Sequence, residues 1–143
     1  EELAAGCMGI YVSVFVSTLA LYPIIAFGTE EQKERFLKPF CSKYTLASYC
    51  LSESTAGSDP ASMKTRAIPQ GDHYLLNGTK MWITNGGYAD LYLVFATLDP
   101  QRKHKGIIGL IVGLIGGLIG LVFSIIGVPW LSYHTPMLWP PAW

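Results

Sequence analysis

The chain has 143 residues, half of them hydrophobic, and its ten Lys and Arg balance ten Asp and Glu. That length suits a single packed domain, while zero net charge excludes a basic nucleic-acid surface and an acidic solvating tail. Cys7, Cys41 and Cys50 form no C-x-x-C pair, no His/Asp/Glu cluster has ligand spacing, and no Gly-rich phosphate loop follows a strand, so no disulfide framework and no metal site is expected. The chain opens at Glu1 without Met, signal or transit peptide and reads as a piece of something longer. All twenty charged residues lie within residues 1–105. Residues 106–143 carry none, yet hold seven of the fifteen glycines and three of the four tryptophans, a break that marks a boundary.

In chain order, Glu1–Phe27 is apolar enough and long enough for one or two buried helices, interrupted at Pro23. Thr29 followed by Glu30, Glu31 and Gln32 is a capping-box start for a helix with Phe36, Leu37 and Phe40 on its apolar face, ending near Pro39. Tyr44–Leu51 is rich in β-formers, and Ser52–Pro60 is a loop of small polar residues. His73–Leu76, Asn77-Gly78 and Thr79–Thr84 predict a hairpin with a type I′ turn, and Leu91–Leu98 a nearly all-apolar strand. Helices first and a β-meander second make an α+β fold. His73 and His104 sit beside charged, turn-like residues and read as solvated histidines. Cys50 reads as a small buried hydrophobe and Ser58-Asp59, taken alone, as a turn.

Two stretches carry more. Tyr49-Cys50-Leu51-Ser52-Glu53-Ser54-Thr55-Ala56-Gly57-Ser58-Asp59 resembles the flavin-contacting Y-C-[VL]-[TS]-E-P-G-[AS]-G-S-D loop of the acyl-CoA dehydrogenases, and Asn77-Gly78-Thr79-Lys80-Met81-Trp82-Ile83-Thr84-Asn85 resembles that family's N-G-x-K-x-W-I-T-N segment. Upstream, Glu1–Gly9 and Pro23-Ile24-Ile25 are most similar to the medium-chain branch, and Glu30–Leu37 fits its E-x-Q-K-x-x-x-L pattern. The resemblance covers about residues 1–106. It implies part of a helical N-terminal domain over 1–43 and part of a β-domain with flavin-contacting loops over 44–106. It also implies FAD-dependent oxidation of a fatty acyl-CoA to the 2,3-enoyl-CoA, electron-transfer flavoprotein as the acceptor, homo-oligomers, and the mitochondrial matrix.

Carried onto this sequence, the resemblance assigns cofactor binding to Tyr49, Cys50, Leu51, Ser52, Trp82, Ile83 and Thr84. Ser52 and Thr84 offer hydroxyls, the Tyr49–Ser52 backbone contacts the polar end of the flavin ring, and Trp82 lies against it. Ser58 would contact the acyl-CoA substrate. Without that context, Trp82 is equally a core residue of a hairpin strand and Ser52 a strand-end cap. Ser54-Thr55 replaces the usual Pro-Gly and loosens the loop. Phe15 stands where medium-chain members have a glutamate near the floor of the acyl cavity, which implies a shorter or branched acyl chain. The family's catalytic glutamate belongs to a C-terminal helical domain beyond the resemblance, so no catalytic residue is assigned and the isolated chain is expected to be inactive.

Residues 107–143 depart from this pattern. Ile107–Val128 has Ser124 as its only polar side chain, and as a helix it would span roughly 33 Å against a bilayer core of about 30 Å. Its glycines fall at G-x-x-x-G spacing, Arg102, Lys103 and Lys105 flank one end, and Trp130, Tyr133, Trp139 and Trp143 flank the other. The expectation is a candidate transmembrane helix over 107–128 in a Gly/Trp/Pro-rich tail, although family sequence running into an unrelated reading would show the same composition. The rival to the dehydrogenase reading is a non-enzymatic, membrane-associated protein that reuses the dehydrogenase segment as a folded head.

Overall fold

The computed structural model describes residues 1–43, 45–71, 73–113 and 132–133. Helices α1 (Glu2–Gly6) and α2 (Met8–Phe27) open the chain. α2 runs straight through Pro23, contrary to the expected break. Proline gives no bond to the Leu19 carbonyl and its ring crowds that group, but the flanking Ala20 and Ile24, both fully buried against the sheet, hold the turn in place. The expectation of buried helices needs correcting. Only Ala20 and Ile24 of α2 are buried, while Met8, Ile10, Phe15, Tyr22 and Ile25 are exposed, because the sheet covers one side of the helix alone.

The capping box forms as expected. Gln32 N–H donates to Thr29 Oγ1 at 3.2 Å and Thr29 N–H to Gln32 Oε1 at 2.9 Å, opening α3 (Glu30–Phe36). Pro39 does not end the helical run. It sits in the first turn of α4 (Lys38–Ser42), where its missing N–H costs nothing.

The described strands make one mixed sheet. β1 (Ala47–Cys50), shorter than the Tyr44–Leu51 expected, pairs parallel with β4 (Leu91–Thr97). β2 (Arg66–Gln70) pairs antiparallel with β3 (His73–Asn77) and touches β4 at Arg66–Thr97. β5 (Ile107–Gly113) runs antiparallel along the whole of β4, and the two-residue β6 (Ser132–Tyr133) pairs with β3. Helices followed by this sheet give the α+β architecture. On the helical face Ala47, Leu91, Leu93 and Ile111 pack on Ala20 and Ile24. The opposite face carries Cys50, Tyr92 and Val112 at one end and Ala67, Ala96, Ile108 and Leu110 at the other. Each fully buried aliphatic side chain contributes roughly 1.5–3 kcal/mol.

Two expectations fail in this sheet. The Asn77-Gly78 hairpin does not form: β3 pairs with β2 and β6, and residues 79–84 leave the sheet to bond the loop after β1. The transmembrane helix expected from Ile107 is a β-strand over its first seven residues, all of them in register with β4. A strand there satisfies every partner along the free edge of β4, whereas a helix would carry a glycine penalty of about 0.8–1 kcal/mol per residue. Residues 114–131 and 134–143, with the rest of that expectation, lie outside the described residues.

Candidate functional site

The two motif segments meet at one end of β1. Met81 N–H donates to Ser52 O at 2.9 Å, Lys80 Nζ to Leu51 O at 3.0 Å, and the Ser48 hydroxyl to Thr84 O at 2.9 Å. Asn85 extends the junction to the helices, its Nδ2 donating to Ser13 O at 2.9 Å and Ala47 O at 3.2 Å. Residues some thirty apart in sequence thus form one surface.

Trp82 stands out on that surface. It is 86% exposed, and its φ of 59° lies in the left-handed region that a bulky side chain rarely occupies. It therefore belongs to neither a hairpin strand nor the core. A large aromatic held in water on a positive-φ backbone carries a local cost that a contact covering its ring would offset. Ser52, joined through its carbonyl to Met81, and Thr84, two residues after Trp82, are both half-buried. Cys50 turns its side chain into the core, where burial pushes the thiol up to about 12, and the whole residue is only 2% exposed. Ile83 packs against the same cluster. Tyr49 faces the helices, tilted against Phe95 at 4.9 Å between ring centroids, and burial raises its phenol. Ser58 is exposed in the loop beyond, and the neighbouring Asp59 accepts from Ala61 N–H at 3.1 Å, which makes that segment a turn as well. His104 is exposed, as expected of a solvated histidine, while His73 is half-buried in β3.

Glu53 and Lys80, to which the sequence motifs assign no role of their own, form a buried pair at the same junction. Their Oε1 and Nζ are 2.7 Å apart, and the side chains are 4% and 8% exposed. Glu53 also accepts from Lys64 N–H at 2.6 Å and Thr65 N–H at 3.1 Å. Burial alone would raise the Glu53 carboxyl, but the bonds from Lys80, Thr65 and Lys64 outweigh it and hold the group below the usual carboxylate range. Burial likewise lowers the Lys80 ammonium against the opposing pull of Glu53. The signal was present: Glu53 is the sole charge between Lys43 and Asp59, and Lys80 the sole charge between Asp72 and Asp90.

On the helical face a cavity of about 430 Å³ opens between the end of α2 and strands β1, β4 and β5. Its walls are Tyr49, Leu51, Leu93 and Phe95, and the exposed His104 and Lys105 also line it. Among the described residues no group of His, Cys, Asp and Glu could hold a metal ion.

Sequence comparison defines the class. The profile of the acyl-CoA dehydrogenase N-terminal domain matches residues 1–44 and that of the acyl-CoA dehydrogenase middle domain residues 48–121, so the chain belongs to the acyl-CoA dehydrogenase family. The middle-domain match continues past Ile107, where the motif resemblance ends, and takes in all of β5. Among relatives, the chain is 40% identical over 103 residues to the probable medium-chain specific acyl-CoA dehydrogenase 2, mitochondrial, of Caenorhabditis briggsae, covering 72% of this chain and 25% of that protein. It is 45% identical over 94 residues to the isobutyryl-CoA dehydrogenase, mitochondrial, of Bos taurus, covering 66% of this chain and 23% of that one. A glutaryl-CoA dehydrogenase from Mycobacterium smegmatis, solved in complex with FADH2, superposes with a TM-score of 0.69 at 40% identity over 78% of this chain and 28% of its own. The chain thus spans about a quarter of the length of these relatives.

Proposed function

We propose that this chain carries one wall of the FAD site of an acyl-CoA dehydrogenase. The observation that supports the reading is the meeting of residues 49–52 with 81–84 around an aromatic side chain left almost wholly in water. The donor set suits a flavin: hydroxyls at Ser52 and Thr84, the backbone of Tyr49–Ser52, and the indole face of Trp82 for stacking. Bound FAD would supply hydride acceptance. The protein side of the work is to orient the ring and to exclude water from it. Ser58 and the apolar cavity ending at Lys105 suit an acyl-CoA, whose pantetheine arm is largely apolar and whose phosphates are anionic. Phe15, the position that suggested a short or branched acyl group, stacks on Tyr11 at 5.7 Å and is exposed on α2 away from this cavity, so the cavity walls lend that suggestion no support. Electron-transfer flavoprotein is the proposed acceptor and the mitochondrial matrix the proposed compartment, in keeping with the mitochondrial names of two animal relatives.

The chain alone should not turn over. Abstraction of the α-proton needs a base within hydrogen-bond reach. The described carboxylates near the site are engaged in structure: Glu53 with Lys80, Asp59 with Ala61 N–H, Asp90 with Leu46 N–H at 2.9 Å and Asp99 with Gln101 N–H at 2.9 Å. The test is titration of the purified chain with FAD, followed by dye reduction with acyl-CoAs of four to sixteen carbons. Binding near or weaker than about 10 μM without turnover is expected, since one wall gives little pre-organisation. No flavin fluorescence quenching at 1 mM protein would sink the flavin reading, and clear turnover would require a base not identified here.

Attachment to a membrane, suggested by the apolar composition of residues 107–128, is a second reading. It draws support from α2, which is long and apolar enough to cross a bilayer and is largely exposed. Resistance of the chain to carbonate extraction would favour it.

A further inference from the structure

The Glu53–Lys80 pair does more than fill a buried space. Each partner is tied to a different part of the site. Glu53 closes the turn that follows Ser52, with its own N–H and C=O paired to Ala56 at 3.0 and 3.2 Å, and its carboxylate holds the Lys64 and Thr65 amides that lead into β2. Lys80 sits one residue before the Met81–Ser52 bond and two before Trp82, and its ammonium also holds Leu51 O at 3.0 Å. Three chain segments therefore converge on one pair of charges that are almost completely out of water. Such a pair seldom adds net stability over apolar residues of the same volume, since desolvation of both ions offsets their attraction. What it adds is geometry, because the donors and acceptor fit one arrangement of the three backbones.

We propose that Glu53 and Lys80 are positioning residues that fix the Leu51–Ser52 backbone against Met81–Thr84 and so set the attitude of Trp82 toward the isoalloxazine. The flavin half of this statement rests on the function proposed above; the geometric half does not. Neither side chain needs to touch the cofactor. Lys80 acts through Leu51 O and through the segment it begins, and Glu53 acts by holding Lys80 and the head of β2 together.

The experiment compares the full chain with Lys80→Met, Lys80→Arg and Leu110→Ala. The last removes a fully buried side chain in a separate cluster and serves as a control for general destabilisation. All are studied at a temperature where each is folded by far-UV circular dichroism. The first readout needs no flavin: amide hydrogen exchange at Met81, whose N–H is held by Ser52 O, rises at least tenfold in Lys80→Met and stays near wild type in Leu110→Ala. The second is FAD affinity together with the visible circular dichroism of the bound flavin: Lys80→Met weakens binding at least tenfold and changes the spectrum, Leu110→Ala does neither, and Lys80→Arg recovers part of both. Unchanged exchange in Lys80→Met, or an equal rise in Leu110→Ala, overturns the positioning role. Unchanged FAD affinity and spectrum in Lys80→Met overturn its link to the flavin. If the wild-type chain binds no FAD while the exchange result is as expected, the flavin reading falls and the positioning of the two segments stands.

Discussion

Gly78 offers a strong mechanical test of how the two motif segments are joined. Its φ of 155° is a conformation that residues with a side chain rarely adopt, and a Cβ placed there would collide with Thr65 Oγ1 and meet Thr65 Cα at 2.5 Å and Thr65 Cβ at 2.7 Å. A rotamer change cannot relieve a clash with the Cα. Thr65 cannot retreat either, since its N–H is held by Glu53 and its carbonyl by Thr97 N–H at 2.8 Å. Gly78→Ala therefore combines a strained backbone, about 1–3 kcal/mol, with overpacking against main chain, about 1–3 kcal/mol more. The expected loss is about 4 kcal/mol. With a urea slope near 2 kcal/mol per molar, the midpoint falls by about 2 M. Gly71→Ala is the matched comparison. It also sits at positive φ, 66°, but with nothing within 4 Å of its Cβ, so it costs only the left-handed penalty of about 1–2 kcal/mol. Urea unfolding followed by circular dichroism separates the two. A Gly78→Ala midpoint no lower than that of Gly71→Ala would show that Thr65 does not pack against this bend.

Further outcomes follow from the site itself. Trp82→Ala should leave stability within about 0.5 kcal/mol, because the side chain is exposed, while FAD binding weakens about tenfold from the lost stacking; a stability loss of several kcal/mol would place Trp82 in a core after all. Because the folded Glu53 carboxyl titrates below its unfolded value of about 4.3, its contribution is complete above that pH and disappears as pH falls through the folded value. Glu53→Gln should therefore be less stable than wild type at pH 7 with the gap narrowing below about pH 4.3, and a gap independent of pH would contradict the carboxylate's charged state. Iodoacetamide at pH 8 should label the exposed Cys7 and Cys41 and spare Cys50, whose thiol is buried and raised to about 12; prompt labelling of Cys50 in folded protein would show that β1 opens.

The capping box at Thr29, strand β4 and the order of helices before strands were all legible because each follows from local chemistry or from a run of apolar residues. The expected Asn77-Gly78 hairpin is absent for a physical reason. Asn-Gly favours a tight turn, but the glycine is needed here for something else, the close passage of the chain over Thr65, and the residues after it are drawn away by Ser52 and Glu53. No local pattern reports competitors such as Ser52 and Glu53, which lie 27 to 29 residues earlier in the chain than the Lys80 and Met81 they bind. The site was visible only through the resemblance of two motifs. Single residues such as Ser52 or Trp82 carry no distinctive chemistry, and what unites them, a buried ion pair between sequence-distant segments, appears when the fold is assembled.

The two most apolar stretches met opposite fates, and hydropathy alone could not have separated them. Met8–Phe27 is apolar around its whole circumference and remains a helix, fixed on one side by Ala20, Ile24 and the bond from Ala47 N–H to Ser17 Oγ, with its other side exposed. Ile107–Gly113 is equally apolar but meets a strand edge with seven partners in register, and it becomes β5, placing Ile108 and Leu110 on one face of the sheet and Ile111 on the other. A strand buried on both faces needs apolar residues at every position, as does a membrane helix, so the alternation that would distinguish them is absent. The deciding quantity is the unsatisfied backbone of β4. With its edge open, β4 would leave a row of amides and carbonyls beside fully buried Leu93 and Ala96, and pairing with 107–113 satisfies them. Helix formation over the same residues would have stranded that edge, and this is why the segment completes the sheet beneath the candidate site.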